Sequence, residues 1–312
     1  MGSGPEAPSD AHRARIAIGF RATLQSLGWI GVEAGIFRRL GLDASLPGLE
    51  TGGIEAAAGL VRGDWEFAEL GTASLVESVL AGHDAVILLA PTVPSWTGVP
   101  ILTRRSISQP SQLAGARVGV LSETGQTGIT LRAALRVWGV SATLVPLGTT
   151  GKIYAALAAG RIDAGVLPFD YRFRGPREFN LNVFEPPSTG FHTAVVGCTR
   201  RLIDAHRPLV ARLVQGYVET IHFFKTNRAA VLPLLQRFLE FPDRRAVQEA
   251  YEFHLPRFQA MPRPSAQAIQ RLLDELARDH PLAATLSLAR IADTSFLDEL
   301  ERAEFVKKLY VD

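Results

Sequence analysis

The chain has 312 residues, of which 47% are hydrophobic and 21% charged, a globular composition that excludes a disordered protein. Its length exceeds one typical core and suits two lobes of an α/β protein. The 33 basic and 31 acidic residues leave a formal charge of +2 without any block of like charge. Neither nucleic acid nor an anionic membrane surface is therefore implied as a partner.

The pattern along the chain alternates strands and helices. Residues 15–20 read as a strand, followed by a polar loop over 21–26. Leu27, Ile30, Ala34 and Phe37 then recur at one-face helical spacing, and Gly41 stops that helix. Residues 42–46 read as a short strand, 54–62 as an Ala-rich helix capped by Gly63, and 65–70 as a strand. Thr72 opens another helix, which Gly82 ends. Residues 85–90 are wholly apolar, the signature of a buried parallel strand. The alternation resumes with strands over 99–103 and 117–121. A helix over 127–138 is stopped by Gly139. Then come a strand over 142–147, a helix over 151–159 stopped by Gly160, and strands over 162–167 and 193–198. From Arg200 onwards the chain reads as helix. Such alternation predicts parallel sheets covered by helices.

An internal echo runs through this pattern. Residues 56–66 and 155–163 each hold an Ala-rich helix, a glycine cap and a strand, with an acid three residues past the glycine. Two lobes of similar plan would produce it, and so would two ordinary helix–strand units that share a cap. The single cysteine, Cys198, excludes a disulfide within the chain and a cysteine-based zinc site. In its apolar run it reads as a small buried hydrophobe. No segment approaches the ~20 apolar residues of a membrane span. Met1–Asp10 has neither a basic head nor an apolar core, so residues 1–12 read as a flexible leader.

Five segments, in order, carry a family resemblance. They are Trp29-Ile30-Gly31-Val32-Glu33-Ala34-Gly35-Ile36-Phe37 with Gly41-Leu42-Asp43; residues 63–71; Leu113-Ala114-Gly115-Ala116-Arg117-Val118-Gly119-Val120; residues 155–164; and Ser295-Phe296-Leu297-Asp298-Glu299-Leu300 with Phe305-Val306 and Leu309-Tyr310. Together they resemble the nitrate/sulfonate/taurine-type substrate-binding proteins of ABC transporters, which share the periplasmic binding protein type II fold with thiamine-pyrimidine synthases. That resemblance implies a two-lobed clamshell. Lobe one is 13–97 with 194–312, lobe two is 98–193, and the chain crosses near residues 96–100 and 190–195. It implies a monomer that holds one small molecule between its lobes and delivers it to a membrane permease, with no cofactor and no metal. A periplasmic or cell-surface location follows if a signal has been removed, and a cytoplasmic one if this N-terminus is native.

Ligands of open α/β sheets bind outside strand ends, and helix N-termini there suit anions. The candidates for cleft lining are therefore the polar turns at strand ends. Arg21, Gln25, Ser26 and Trp29 follow the first strand, and a solvated loop beside a packed Trp is the plainer reading. Gly71, Thr72 and Ala73 start a helix that Thr72 can also cap. Thr124, Gly125, Gln126 and Thr127 form the equivalent turn of lobe two. Trp96 either stacks on a ligand or plugs the hinge. Phe169 and Asp170 follow a strand end, whereas Arg174 and Arg177 read as a solvated loop. Glu69 stands out, because a carboxylate near the end of a buried strand needs a partner or water. It is expected to face the cleft or to pair with Arg21. His192 serves a hinge hydrogen bond, or completes an acid/base pair with Glu69. The latter would fit a decarboxylase or lyase on the same scaffold, since 66–70 resembles a segment of the dihydroxyphthalate decarboxylases. No nucleophile triad, HExxH, Walker loop or GxGxxG is present. Capture of an anionic or zwitterionic solute is the leading expectation, and a soluble enzyme the alternative.

Overall fold

The computed structural model describes residues 12–94 and 99–311. The chain runs β1 (His12–Ile18), α1 (Leu27–Glu33), α2 (Ile36–Arg39), β2 (Leu42–Leu49), α3 (Gly53–Arg62), β3 (Phe67–Gly71), α4 (Thr72–Leu80) and β4 (Ala85–Leu89). It continues through β5 (Ile101–Thr103), β6 (Arg117–Val120), α5 (Gln126–Trp138), β7 (Thr143–Pro146), α6 (Thr150–Ala158), β8 (Ala164–Val166), α7 (Tyr171–Phe179) and β9 (Asn182–Phe184). β10 (Ala194–Thr199) leads into α8 (Arg200–Thr226), α9 (Arg228–Leu239), α10 (Arg244–His254) and α11 (Ala266–Leu276). The tail ends with α12 (Leu288–Ile291), α13 (Ser295–Arg302) and α14 (Phe305–Leu309).

Two five-stranded sheets result, ordered β2-β1-β3-β10-β4 and β7-β6-β8-β5-β9. Each has one reversed strand in the fourth place. β10 runs antiparallel to β3 and β4, and β5 antiparallel to β8 and β9. Both sheets are thus mixed, and the parallel reading of residues 85–90 is corrected. The run is apolar because β4 is covered, not because its neighbour is parallel. β10 lies along one side of it, α8 packs against it, and Ala292 bridges Ile87 on the other side.

The equal strand order settles the internal echo in favour of two lobes of similar plan. Glu66 and Asp163 do one job in both. The Glu66 carboxylate accepts from the Arg15 N–H at 2.7 Å, and the Asp163 carboxylate accepts from the Arg117 N–H at 2.8 Å. The backbone N–H groups of the same two acids donate to Arg15 O and Arg117 O. An acid three residues past the glycine cap therefore pins the helix–strand unit to the neighbouring central strand.

The helical tail returns to the first sheet. α8 packs on α1, α2, β2, β4 and β10, through buried Leu213, Val214, Tyr217, Ile221 and Phe224. A kink at His206 lies two residues before Pro208, which lacks the N–H a helix interior needs. Arg174 and Arg177, read as a solvated loop, lie on α7. Arg174 pairs with Glu178 at 2.8 Å, and Arg177 reaches Asp243, which caps α10, and Glu249 on α10. Cys198 is fully buried and free.

Candidate functional site

The strand ends of the two sheets face one another loop for loop. The loop after β1 meets the loop after β8, where the Thr23 N–H donates to Asp170 Oδ2 at 2.7 Å. The loop after β2 meets the loop after β7, with a Cβ built on Gly52 falling 3.4 Å from Gly148 O. The loop after β3 meets the loop after β6, where the Ala73 N–H donates to Gln126 Oε1 at 3.1 Å. Gly71 is required here: a Cβ on it would lie 2.6 Å from the Gln126 Cβ, so any larger residue would push the loops apart.

Between these loops lie buried polar atoms that have no hydrogen-bond partner among the described residues. They are Thr23 Oγ1, Gln25 Nε2, Thr72 Oγ1, Thr150 Oγ1 and Asp170 Oδ1. Each parent side chain is at most 1% exposed. An unpaired buried polar group costs about 1–3 kcal/mol, so each of these atoms would be stabilised by a partner from outside the chain. Thr72 and Thr150 open α4 and α6, where helix N–H groups and the positive dipole end favour an anion. Asp170 brings the opposite preference. Its Oδ1 lies 3.8 Å from His254 Nδ1, whose pKa burial holds below its ordinary value, leaving an acceptor for a donor or cationic group.

The structure divides the sequence candidates. Gln25, Thr72, Ala73, Gly71, Gln126 and Asp170 lie on the facing loops. Gly125 does too, its N–H donating to Ser122 Oγ at 2.9 Å. Ser26 donates to Thr23 O and Thr127 Oγ1 accepts from the Leu121 N–H, so both brace their own turns. Thr124 is exposed at the rim. Trp29 packs against Phe238, and Phe169 stacks on Phe253 with ring centroids 3.6 Å apart. Trp96 lies outside the described residues.

Two expectations need correction, and one of the two readings of His192 holds. Glu69 does not face the cleft. It is 2% exposed on the α1–α8 side of β3, and Oε1 accepts from the Gly28 N–H and from the Tyr217 hydroxyl at 2.8 Å. A carboxyl group at the start of α1 meets the helix dipole there. Burial pushes its pKa up to about 7, against the lowering effect of those two bonds. Nor does Arg21 pair with it. Arg21 pairs with Glu50 and Glu240 and donates to Phe238 O at 2.8 Å, which ties the first loop to the end of α9. His192 is the hinge bond, not half of an acid/base pair. Its Nε2 accepts from the Ser265 N–H at 2.9 Å and its Nδ1 faces Thr92 O at 3.2 Å, so the neutral ring ties one crossover to the start of α11. Burial takes its pKa down to about 4.

Thr23 and Thr150 were missed by sequence reading. Thr150 had a signal, since Leu147-Gly148-Thr149-Thr150 repeats the strand–glycine–threonine–helix order of Leu70-Gly71-Thr72. Among the described residues, no group of three or more His, Cys, Asp or Glu is placed to hold a metal ion, and no helix is long and apolar enough to cross a membrane.

No protein-family model matches the chain, and no curated protein matches it. Solved structures do. A protein of Bordetella bronchiseptica RB50 superposes with a TM-score of 0.82 at 15% identity, over 95% of this chain and 99% of that one. The alkanesulfonate-binding protein SsuA from Xanthomonas axonopodis pv. citri, bound to MOPS, gives 0.77 at 16% identity, over 92% and 100%. The periplasmic nitrate-binding protein NrtA from Synechocystis PCC 6803 gives 0.72 at 12% identity, over 96% and 90%. The chain has the periplasmic binding protein fold along nearly its whole length.

Proposed function

We propose that this protein is the solute-capturing component of an ABC importer and closes on a small anionic or zwitterionic molecule. The lobes are taken as 13–97 with 194–312 and 98–193. The observation that carries the reading is the set of buried, unpartnered polar atoms on loops that face each other from the two lobes: Thr23, Gln25, Thr72, Thr150 and Asp170. An anionic head suits the starts of α4 and α6, and a donor or ammonium group suits Asp170 Oδ1. The MOPS of the Xanthomonas protein carries both a sulfonate and an amine. Contacts from both lobes are available only when the lobes meet, so the solute favours the closed form by its differential affinity for it. A permease then receives the solute, and the protein works as a monomer in the periplasm or at the cell surface.

The enzyme reading is weakened because its acid and base are engaged elsewhere, Glu69 with α1 and Tyr217, His192 with the crossover and α11. A thermal-shift screen over sulfonates, nitrate, carboxylates, pyrimidines and zwitterionic amino acids tests the proposal. A true solute stabilises the fold by about 2.7 kcal/mol at a hundredfold excess over its Kd. Incubation for hours with stoichiometric protein, followed by mass spectrometry, should return it unchanged. Consumption of the solute would overturn capture in favour of catalysis.

A further inference from the structure

A second cavity lies on the outer seam of the lobes, apart from the facing loops. Its volume is about 370 Å³, and its polar lining is Arg136, Ser188, Thr189, Arg271, Glu275 and Arg278. Arg136 belongs to α5, Glu275 and Arg271 to α11, and Ser188 and Thr189 to the segment by which the chain returns to the first sheet. Three guanidinium groups line the cavity beside one carboxylate, Glu275, which Arg136 and Arg278 both engage. Arg271 makes no ion pair with a described residue. Asp279, outside the lining, is 3.8 Å from Arg132. Thr189 Oγ1 is buried with no hydrogen-bond partner among the described residues. The lining thus carries an excess of two positive charges and an orphaned hydroxyl.

The return segment is shaped to that charge. Gly190 takes φ +71°, and a Cβ there would fall 2.0 Å from Arg271 Nη1. A glycine is what allows the segment to lie on the guanidinium and to present Thr189 beside it. Within the cavity, burial and the like charge of Arg278 lower the pKa of Arg136.

We infer that this cavity is a separate binding site for a small tetrahedral dianion, phosphate or sulfate, free or as the head of a small organic ester. Guanidinium forks match such oxygens in pairs, and the free Arg271 supplies the anchoring fork. Because α5 and α11 come from opposite lobes, an occupied site adds a contact to the closed form. By linkage it raises affinity for a solute in the main cleft and is raised by it in turn.

The test uses the full chain at constant ionic strength, titrated with inorganic phosphate, sulfate and a sugar phosphate against matched sodium chloride. Saturable stabilisation by phosphate or sulfate is expected for wild type. Arg271→Gln should weaken it by about tenfold or more while leaving the melting temperature without anion unchanged. Glu275→Gln should tighten it severalfold, because the only carboxylate in the lining is removed. A tighter sugar phosphate than phosphate identifies an ester as the ligand, and the reverse order identifies the free ion. No stabilisation beyond the chloride control would overturn the site. So would binding that survives in Arg271→Gln but is lost in the double variant Thr72→Val, Thr150→Val, since the anion would then sit in the main cleft.

Discussion

Glu69 and Asp170 are both buried carboxylates, on or just past strands that hold the same place in the two sheets, yet they face opposite directions. Glu69 turns into lobe one and is satisfied there by the Gly28 N–H and the Tyr217 hydroxyl. Asp170 turns across the seam. It holds the Thr23 N–H with one oxygen and leaves the other unbonded among the described residues. The contrast separates a carboxyl group that completes a core from one that is held ready between two bodies. Burial alone does not distinguish them, and partners do.

The largest expected effect concerns the pH dependence of stability. The folded-state pKa of Glu69 is raised from 4.5 to about 7 by burial. Folded protein therefore keeps a proton that the unfolded chain releases, and stability is lost as pH rises from about 4.5 to 7. The whole span corresponds to about 3 kcal/mol. Glu69→Gln keeps an acceptor for both donors and cannot ionise. Its stability relative to wild type should rise by about 3 kcal/mol between pH 4.5 and 7, measured by urea denaturation at each pH. His192 works in the opposite sense: its pKa is depressed from 6.5 to about 4, so its contribution is present above pH 6.5 and lost as pH falls towards 4. Removing Glu69 leaves that slope unopposed. A flat difference curve would mean that Glu69 is not desolvated as described.

Asp170 should affect binding instead. Asp170→Ala removes the acceptor between the lobes, and affinity for a zwitterionic solute should fall about a hundredfold by calorimetry. The stability of the free protein should fall by about 1–3 kcal/mol at most, the cost of the unpaired Thr23 N–H, offset in part by removal of the unbonded Oδ1. Equal affinity in the variant would place Asp170 outside the binding contacts. The reciprocal experiment is Tyr217→Phe, which deprives Glu69 of one bond. It should cost about 1–2 kcal/mol of stability at neutral pH and leave solute affinity unchanged.

Much of the fold was legible because its signals are local. Glycines 63 and 139 close helices in the left-handed region where the spacing placed them, and apolar runs mark the central strands. The facing loops were legible wherever polar residues followed a strand end directly, as at Thr72, Gln126 and Asp170. Glu69 misled because a strand residue has two possible faces, and the group that receives it, Tyr217, is 148 residues away on α8. Arg21 misled for the same reason: its acceptor, Phe238 O, is 217 residues away. Strand direction was misread because an apolar run records coverage, and coverage by a returning strand looks the same as coverage by a parallel neighbour.

The smallest effect tests whether the two lobes share one construction rule. Glu66 and Asp163 each place a carboxylate oxygen on a backbone N–H of a central strand, Arg15 in β1 and Arg117 at the start of β6, at 2.7 and 2.8 Å, and each also pairs with arginine. Glu66 reaches Arg15, and Asp163 reaches Arg104 and Arg117. The arginines are partly exposed, so the ion pairs contribute little and the bond to the backbone N–H dominates. Glu66→Gln and Asp163→Asn retain an acceptor but lose the charge, and each should cost about 1 kcal/mol in urea denaturation. Since the positions are equivalent and lie in different lobes, the double variant should cost the sum of the two. A tenfold disparity between the single variants in equilibrium constant, about 1.4 kcal/mol, would show that the repeated pattern hides unequal roles. Equal costs would establish that the acid after the glycine cap is an element of the scaffold in both lobes.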